Sequence, residues 1–256
     1  MPKISAHCLV KNEQSWIWYS LSSVLDWVDE ILVWDTGSDD KTVQNIKTIV
    51  SPKIKFSQLG PLSAEQLTQA RQNMLNRSQS DWMMILDGDE IWTEMAIANS
   101  VKFIRDTGKR HKFLISRYKN LLGDVYHYQE EAAGGYRIGP HNGHLTIRFV
   151  NLLANPGLHY RGNYPLEGLS NGSGQLLQDV YMTEPVVDAP YFHATHLRQQ
   201  KFKYELGYKM PDNFEYPKCF YLPRPKIILS PWEKRDLRYI LIASLQTPLK
   251  YIKRRL

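Results

Sequence analysis

The amino-acid sequence predicts an α/β fold in which a mostly parallel sheet is flanked by helices on both faces. Over roughly the first ninety residues, apolar runs typical of buried strands alternate with stretches whose apolar residues recur at helical spacing. Two of these apolar runs end abruptly in turns rich in Asp and Gly. Hydrophobic residues make up 43% of the 256 residues, so the chain can bury a full core.

Four strands and three helices make up this alternating region. The predicted strands are residues 4–10, 30–34, 54–59 and 82–86. The predicted helices are residues 15–28, a segment that contains Val43, Ile46, Ile49 and Val50 and is capped by Asp39 or Asp40, and residues 64–78. This order is typical of a parallel sheet, whose ligands lie outside the carboxyl ends of the strands.

The remainder of the chain is less regular. Strands are predicted at residues 111–118 and 145–151, and long loops at residues 131–144 and 154–175, which are rich in Gly, Asn and Pro. Residues 232–246 combine apolar residues at helical spacing with Lys and Arg, which predicts a basic amphipathic helix. We therefore expect one α/β domain over residues 1–200 and a basic helical extension over residues 201–256.

An acidic cluster at the end of the fourth predicted strand is the leading candidate site. Asp87 and Asp89 flank Gly88, and a second acidic turn, residues 35–40, ends the second strand at the same edge of the sheet. Carboxylate oxygens suit Mg²⁺ or Mn²⁺, and such an ion neutralises a diphosphate leaving group. A glycine between the carboxylates allows a close approach of the backbone to a ligand. Without this context, the cluster is more typical of a solvated acidic turn than of a metal site.

Composition narrows the class of protein. The net charge of +6 favours anionic partners, but the basic tail at residues 250–255 and the acidic residues 81–90 do not form a uniform nucleic-acid face. Two cysteines, Cys8 and Cys219, predict neither a disulfide framework nor a thiolate zinc site, and they favour a reducing cytoplasm. We expect no signal peptide and no membrane span, since no apolar run reaches about 18 residues.

Four segments in the first part of the chain, taken together, resemble the nucleotide-binding half of the family 2 glycosyltransferases, which have the GT-A fold. They are Leu9 to Glu13, Val28 to Thr42, Ala70 to Asn73 and Asp81 to Glu90. The resemblance implies an inverting transfer of a sugar from a nucleoside diphosphate to an acceptor hydroxyl, assisted by Mn²⁺ or Mg²⁺.

The resemblance also implies roles for individual residues. Leu9 and Lys11 would border the nucleobase, Asp35 would lie beside the nucleoside, and Arg71 would lie near the base or the diphosphate. Asp87, with Gly88, would approach the ribose or the metal, and Asp89 would be the metal ligand. In the second segment, many members carry a second Asp directly after the first, where this chain has Thr36. Because of this difference, the resemblance does not identify the nucleobase of the donor.

The second half of the chain carries a weaker resemblance. The segment that often ends in His-Glu has Leu166 and Glu167 here, which makes Glu167 the candidate catalytic base. Four other carboxylates compete for that role: Asp124, Glu130, Glu131 and Asp179. Related enzymes often place a histidine ligand in the segment that contains His193 and His196, and His193 is the preferred candidate.

The resemblance implies a glycosyltransferase whose donor is a nucleotide sugar, with a UDP-sugar as the leading class. The expected acceptor is a glycan or a lipid-linked molecule in surface glycan synthesis, and no nucleic-acid partner is expected. Two alternatives remain: a nucleotidyltransferase, and a non-enzymatic protein that binds carbohydrate or nucleic acid. The basic C-terminal helix either packs on the core or contacts an anionic membrane at its inner face.

Overall fold

A computed structural model describes residues 1–197 and 203–255 and shows an α/β fold built on one large, curled sheet. The strands are β1 (Ile4–Val10), β2 (Glu30–Asp35), β3 (Ile54–Gln58), β4 (Trp82–Ile85), β5 (Glu90–Ile91), β6 (Phe113–Leu122), β7 (Asp124–Tyr128), β8 (Tyr136–Ile138), β9 (His141–Gly143), β10 (Leu145–Asn151), β11 (His159–Arg161), β12 (Gly168–Ser170), β13 (Val186–His193) and β14 (Tyr208–Lys209). The helices are α1 (Ile17–Val24), α2 (Thr42–Lys47), α3 (Ala64–Arg77), α4 (Glu94–Asp106), α5 (Leu177–Val180) and α6 (Leu237–Arg255).

The first half of the chain forms the parallel part of the sheet. Strands β3, β2, β1 and β4 lie side by side in that order, and each neighbouring pair is parallel. The apolar strand residues bury one face against α1 and α4, and Leu32 and Trp34 pack with Ala70 and Met74 of α3 on the other. The carboxyl ends of β1, β2 and β4 therefore meet at one edge, as the sequence predicts.

The second half completes the sheet. Strand β10 lies antiparallel between β4 and β6, and β13 runs parallel to β6 and antiparallel to β5. The pairing of β10 with β6 shifts register between Ile147 and Phe149, so that Arg148 is the extra residue of a β-bulge. Phe149 packs edge-on against Trp92 in the core. The bulge frees Arg148 from the ladder and directs it toward the carboxyl end of β4.

Side chains define where α3 and α4 begin. Ser63 accepts a hydrogen bond from the backbone N–H of Gln66, and the Gln66 side chain accepts one from the Ser63 N–H, which forms a capping box. Thr93 accepts from the N–H of Ala96 at the start of α4. The N-cap of α2 is Lys41, without a side-chain cap, so neither Asp39 nor Asp40 is the capping residue as predicted; Asp40 accepts a hydrogen bond from the Thr42 N–H at 2.8 Å.

Several predicted boundaries were wrong. The first helix covers Ile17–Val24, not residues 15–28, and Val50 is 97% exposed rather than part of α2. The predicted loops at residues 131–144 and 154–175 contain two short antiparallel hairpins, β8 with β9 and β11 with β12. These strands are only three residues each, too short to show an alternating pattern.

The C-terminal helix differs most from its prediction. It covers Leu237–Arg255 instead of residues 232–246, and it packs through Tyr239, Ala243 and Thr247 rather than through its leucines. The predicted boundary between a domain at residues 1–200 and an extension at residues 201–256 falls in 198–202, outside the described residues. Among the helices of residues 1–197 and 203–255, none has the length and apolar character needed to cross a bilayer.

Candidate active site

A cleft of ≈ 480 Å³ lies at the carboxyl edge of the parallel strands. Three of the four segments that the sequence singles out contribute to its wall through Leu9 and Lys11, through Thr36, and through Asp87 and Asp89. Arg71 of the remaining segment, in α3, and Glu167, which precedes β12, also line it. The structure thus brings most of the predicted site residues together around one cavity of the size of small-molecule sites.

The end of β2 differs in detail from the expectation. Asp35 is buried, and its carboxylate accepts hydrogen bonds from the N–H groups of Gly37 and Ser38. Thr36 lines the cleft, and its hydroxyl donates to the Val10 carbonyl at 3.1 Å. Asp35 therefore shapes the turn beside the cleft, and the wall at this position is formed by Thr36.

Two arginines hold the carboxylate of Asp87. Arg148 Nη2 donates to Oδ2 at 2.9 Å, and Arg71 Nη2 lies 3.5 Å from Oδ1. Arg148 reaches Asp87 from the β10 bulge, and Arg71 reaches it from α3. Burial opposes the charge of Asp87, but these two guanidinium groups outweigh it and hold its pKa below the usual value. The ionised carboxylate of Asp87 thus holds the side chains of Arg71 and Arg148 in place at the cleft.

Glu90 extends this network into the core. Its Oε1 accepts hydrogen bonds from Arg148 Nη2 at 2.5 Å, from Arg148 Nε at 2.9 Å and from the Tyr191 hydroxyl at 2.7 Å. The side chain is fully buried, and burial raises the pKa of Glu90 although Arg148 opposes this shift. Burial likewise raises the pKa of the Tyr191 hydroxyl. Glu90 and Tyr191 therefore fix the position of Arg148.

Packing inside the protein requires a residue without a side chain at Gly88. A Cβ at this position would lie 2.8 Å from Glu13 Cγ and 3.0 Å from Val10 Cγ2. The backbone between Asp87 and Asp89 thus lies directly against the loop that follows β1. The absence of a side chain lets the two loops that form the wall of the cleft touch each other.

Asp89 and His193 form the candidate metal-binding pair. Asp89 Oδ1 lies 3.7 Å from His193 Nε2, and both residues line the cleft. The backbone carbonyl of Asp89 accepts a hydrogen bond from the Ala194 N–H at 2.8 Å, which ties the end of β13 to the acidic turn. His193 Nδ1 is buried and has no hydrogen-bond partner within the described part of the chain.

The donor set of this pair fits a divalent cation that is shared with a ligand. One carboxylate and one imidazole are acceptable ligands for Mn²⁺. No group of three or more His, Cys, Asp or Glu side chains suited to a metal ion occurs among residues 1–197 and 203–255. A cation here would therefore draw further ligands from phosphate oxygens and water, as Mg²⁺ and Mn²⁺ do at phosphate sites.

His196 occupies a different environment from His193. It lies in a 3-10 turn, Thr195–Leu197, just after β13, while its neighbour Thr195 lines the cleft. Burial, reinforced by Lys203, lowers the pKa of His196 to about 4, so the ring is neutral at pH 7. Of the two predicted histidines, the structure brings His193 to Asp89.

Glu167 lies beside Arg71 in the wall of the cleft. Its Oε1 is 3.0 Å from Arg71 Nε, and its side chain is only 8% exposed. Of the five carboxylates considered as the base, Glu167 is the one that lines the cleft. The others are engaged elsewhere or exposed: Asp124 with His127, Glu130 with Arg254, Glu131 with Arg117, and Asp179 at the surface.

Arg148, Glu90 and Tyr191 were not predicted as site residues. A signal for Arg148 was present, because a single arginine in an apolar predicted strand needs a buried anionic partner. Its partners lie 58 and 61 positions earlier in the chain, so the pairing depends on the order of strands in the sheet. The bulge that directs Arg148 has no sequence signature such as a glycine.

Three comparisons relate the chain to known proteins. The family described as "Glycosyl transferase family 2" matches residues 5–154. A TPR repeat-containing protein of Synechococcus elongatus is 33% identical over 100 residues, which are 37% of this chain and 24% of that protein. An uncharacterized glycosyltransferase of Rickettsia typhi is 26% identical over 122 residues, which are 48% of this chain and 39% of that protein. The chain spans well under half of the length of these curated relatives.

The fold is also similar to that of a solved structure. TarS 1-349 of S. aureus, in complex with UDP-GlcNAc, has a TM-score of 0.51 and 18% sequence identity. The alignment covers 75% of this chain and 58% of the TarS chain. The likeness confirms the predicted fold class, GT-A, and carries no statement about the substrate of this chain.

Proposed function

The chain belongs to glycosyl transferase family 2, and from this we propose that it transfers a sugar from a nucleoside diphosphate to an acceptor hydroxyl with inversion. The observation that supports this most is the array of Arg71, Asp87 and Arg148 beside Asp89 and His193 at the carboxyl edge of the parallel strands. Such an array combines fixed cations with a carboxylate and an imidazole that could bind a metal ion. Both features suit a diphosphate leaving group.

The donor is a nucleotide sugar, with a UDP-sugar as the leading class. Leu9 and Lys11 line the cleft at the carboxyl end of β1, and Thr36 lines it just after β2. We assign the base and the ribose to this wall because the apolar Leu9 suits a nucleobase face and Lys11 suits an anionic nucleotide. Arg71, held by Asp87 and Glu167, then lies where it can contact the phosphates.

Asp89 and His193 would hold the metal. When bound, Mn²⁺ or Mg²⁺ would supply positive charge to the departing diphosphate. Asp87 is not assigned as a direct ligand of the metal ion, because both of its carboxylate oxygens already face guanidinium groups. Its role in the proposal is to keep Arg71 and Arg148 in fixed positions, so that the site is organised before the donor arrives.

Glu167 is assigned as the catalytic base. Arg71 orients its Oε1, while Oε2 is buried in the cleft wall without a hydrogen-bond partner within the described part of the chain. Oε2 would take the proton of the acceptor hydroxyl as the hydroxyl oxygen bonds to the anomeric carbon. The bond from that carbon to the diphosphate oxygen breaks at the same time, and its electrons leave with the nucleoside diphosphate.

The acceptor is a glycan or a lipid-linked molecule, as expected for assembly of a surface glycan. Tyr136 and Tyr164 line the cleft and are 59% and 45% exposed. Exposed tyrosine rings at the mouth of a cleft suit stacking on sugar rings, with the hydroxyl groups left to form hydrogen bonds. This placement favours a saccharide at the acceptor end of the cleft.

A panel of nucleotide sugars with Mn²⁺ tests the proposed reaction. The chain should release nucleoside diphosphate from at least one donor, and UDP-sugars should be turned over fastest. Glu167→Gln should lower this release by about 10²–10⁴-fold, and Arg71→Met should also lower it. The exposed Asp106→Asn should not alter release, because Asp106 pairs with Lys102 at the surface. Failure to turn over any donor, with every acceptor class offered, would contradict the proposal.

A further inference from the structure

Helix α6 packs on the protein with its polar side and exposes its apolar side. Five large aliphatic residues on the helix are between 60% and 78% exposed: Leu237, Leu241, Leu245, Leu249 and Ile252. Soluble proteins usually place such residues inward and the polar face outward. The orientation of α6 is therefore the reverse of the usual one, and packing against the core does not explain why its apolar face is exposed.

Polar contacts hold the inner face of α6. Arg254 donates to both oxygens of Glu205 at 2.7 Å and to Glu130 at 2.8 Å. Lys250 donates to the Tyr204 carbonyl at 2.9 Å. Thr247 Oγ1 accepts from the Leu206 N–H at 2.9 Å. These contacts are specific and partly buried, so they fix the rotation of the helix about its axis and leave the aliphatic residues facing outward.

The outward aliphatic residues form one continuous stripe. Leu237, Leu241, Leu245 and Leu249 follow one another at intervals of four positions, and Ile252 continues the row. At about 100° per residue, the five side chains cover about 120° of the helix circumference. The stripe runs along most of α6, and its centre lies opposite Ala243, which is buried, and Arg254, whose side chain is 15% exposed.

The charged side chains within α6 all have one sign. No Asp or Glu occurs between Leu237 and Arg255. The exposed cations of the helix are Arg238 at its start and Lys253 and Arg255 at its end. A stripe of leucines bordered by cations and free of acids is complementary to a surface that is apolar inside and anionic outside.

We propose that α6 docks the chain on an anionic lipid bilayer, with the leucine stripe at the boundary between headgroups and acyl chains. Arg238, Lys253 and Arg255 then lie at the level of the lipid phosphates. A second copy of the chain would fit the leucine stripe less well than a lipid bilayer. If two α6 helices packed antiparallel through their stripes, Arg238 of each copy would face the cations at the end of the other. The proposal does not depend on the sugar-transfer reaction.

Vesicle flotation of the full chain, without any nucleotide sugar, tests this proposal. Wild-type protein should float with vesicles of phosphatidylglycerol mixed with phosphatidylcholine and bind much less to pure phosphatidylcholine. Leu241→Gln with Leu245→Gln should weaken binding to the mixed vesicles at least about tenfold, because two exposed aliphatic side chains are lost. Glutamine has nearly the helix propensity of leucine, so α6 should remain folded.

A matched control removes exposed aliphatic residues elsewhere. Val50→Gln with Leu153→Gln changes residues that are 97% and 74% exposed outside α6, and it should leave flotation unchanged. Circular dichroism should show that all variants are folded. The proposal is overturned if wild type does not bind anionic vesicles, or if the α6 variant binds as well as wild type. It is also overturned if light scattering shows a dimer that the α6 variant disperses.

Discussion

Arg148 Nη2 donates a hydrogen bond to Asp87 Oδ2 at 2.9 Å, across 61 positions of the chain. The contact joins the bulge of β10 to the acidic turn after β4, and it exists because β10 lies next to β4 in the sheet. The same guanidinium contacts the buried Glu90. One side chain thus couples the fold of the second half of the chain to that of the first half.

Removal of Arg148 should destabilise the protein severely. Arg148→Met leaves the carboxylates of Asp87 and Glu90 without their shared cation, and the loss should be about 3–5 kcal/mol of unfolding free energy. Adding Glu90→Gln should restore part of this loss, since an uncharged amide is buried at lower cost. Urea unfolding measures both effects. The control variant Arg105→Met, on the exposed side of α4, should change the free energy of unfolding by less than about 0.5 kcal/mol. If Arg148→Met and Arg105→Met lose the same amount of stability, the buried network does not stabilise the protein as described.

Arg71 should contribute to donor binding. Because Arg71 is oriented by Asp87 and Glu167, Arg71→Met should weaken UDP binding at least about tenfold through the loss of a charge-assisted contact. Isothermal titration calorimetry gives the dissociation constant. Arg77→Met, on the same helix but stacked over Trp34, should bind UDP like wild type. Unchanged affinity in the Arg71 variant would place the phosphates elsewhere.

Glu167 should affect catalysis more than binding. Glu167→Gln should lower kcat by about 10²–10⁴-fold, the usual contribution of a general base, and leave the UDP dissociation constant nearly unchanged. Steady-state kinetics and calorimetry on one preparation separate these effects. Asp179→Asn, at an exposed position among the competing carboxylates, should keep wild-type kcat. The assignment is wrong if the Asp179 variant loses kcat and the Glu167 variant does not.

His7 should make stability depend on pH. Burial, followed by the charge of Arg71, lowers the pKa of His7 to about 3 in the folded protein. The unfolded chain binds a proton near pH 6.5, so stability is full above that pH and falls as pH decreases toward 3. At pH 4.5 the loss due to His7 should be about 2–3 kcal/mol.

Urea unfolding of His7→Leu between pH 7 and pH 4.5 tests this pH dependence. The variant should show a shallower decrease in stability than wild type, because its buried side chain no longer titrates. His159→Leu, at a surface hairpin, serves as the control and should retain the wild-type decrease. Parallel decreases in wild type and His7→Leu would show that other groups cause the acid sensitivity.

Local sequence patterns account for the first half of the fold and for most of the cleft wall. The strands at β1, β2 and β4 are apolar runs that end in polar turns, and this pattern depends only on neighbouring residues. Asp87 and Asp89 could therefore be predicted to lie at the carboxyl edge of the sheet, whereas Arg71 of α3 was expected there only from the family resemblance. Their individual contacts could not be predicted, because the carboxylate of Asp87 is held by a residue from β10.

The orientation of α6 illustrates a second limit of sequence patterns. The spacing of Leu237, Leu241 and Leu245 correctly predicts a helix, but it does not show which side faces the protein. That choice depends on Glu130 and Glu205, which attract Arg254 from distant parts of the chain. Periodicity therefore locates an amphipathic helix, and only its partners decide whether the apolar face is covered.

Metal-dependent binding of UDP is the most direct test of the proposed site. Calorimetry should show that Mn²⁺ strengthens UDP binding to wild-type protein, and that chelation of the metal removes this gain. Asp89→Asn should remove the gain as well, because the neutral amide is a weaker ligand beside His193. If Asp89→Asn binds UDP with the same metal dependence as wild type, or if wild type binds no UDP with or without Mn²⁺, the account of this cleft is contradicted.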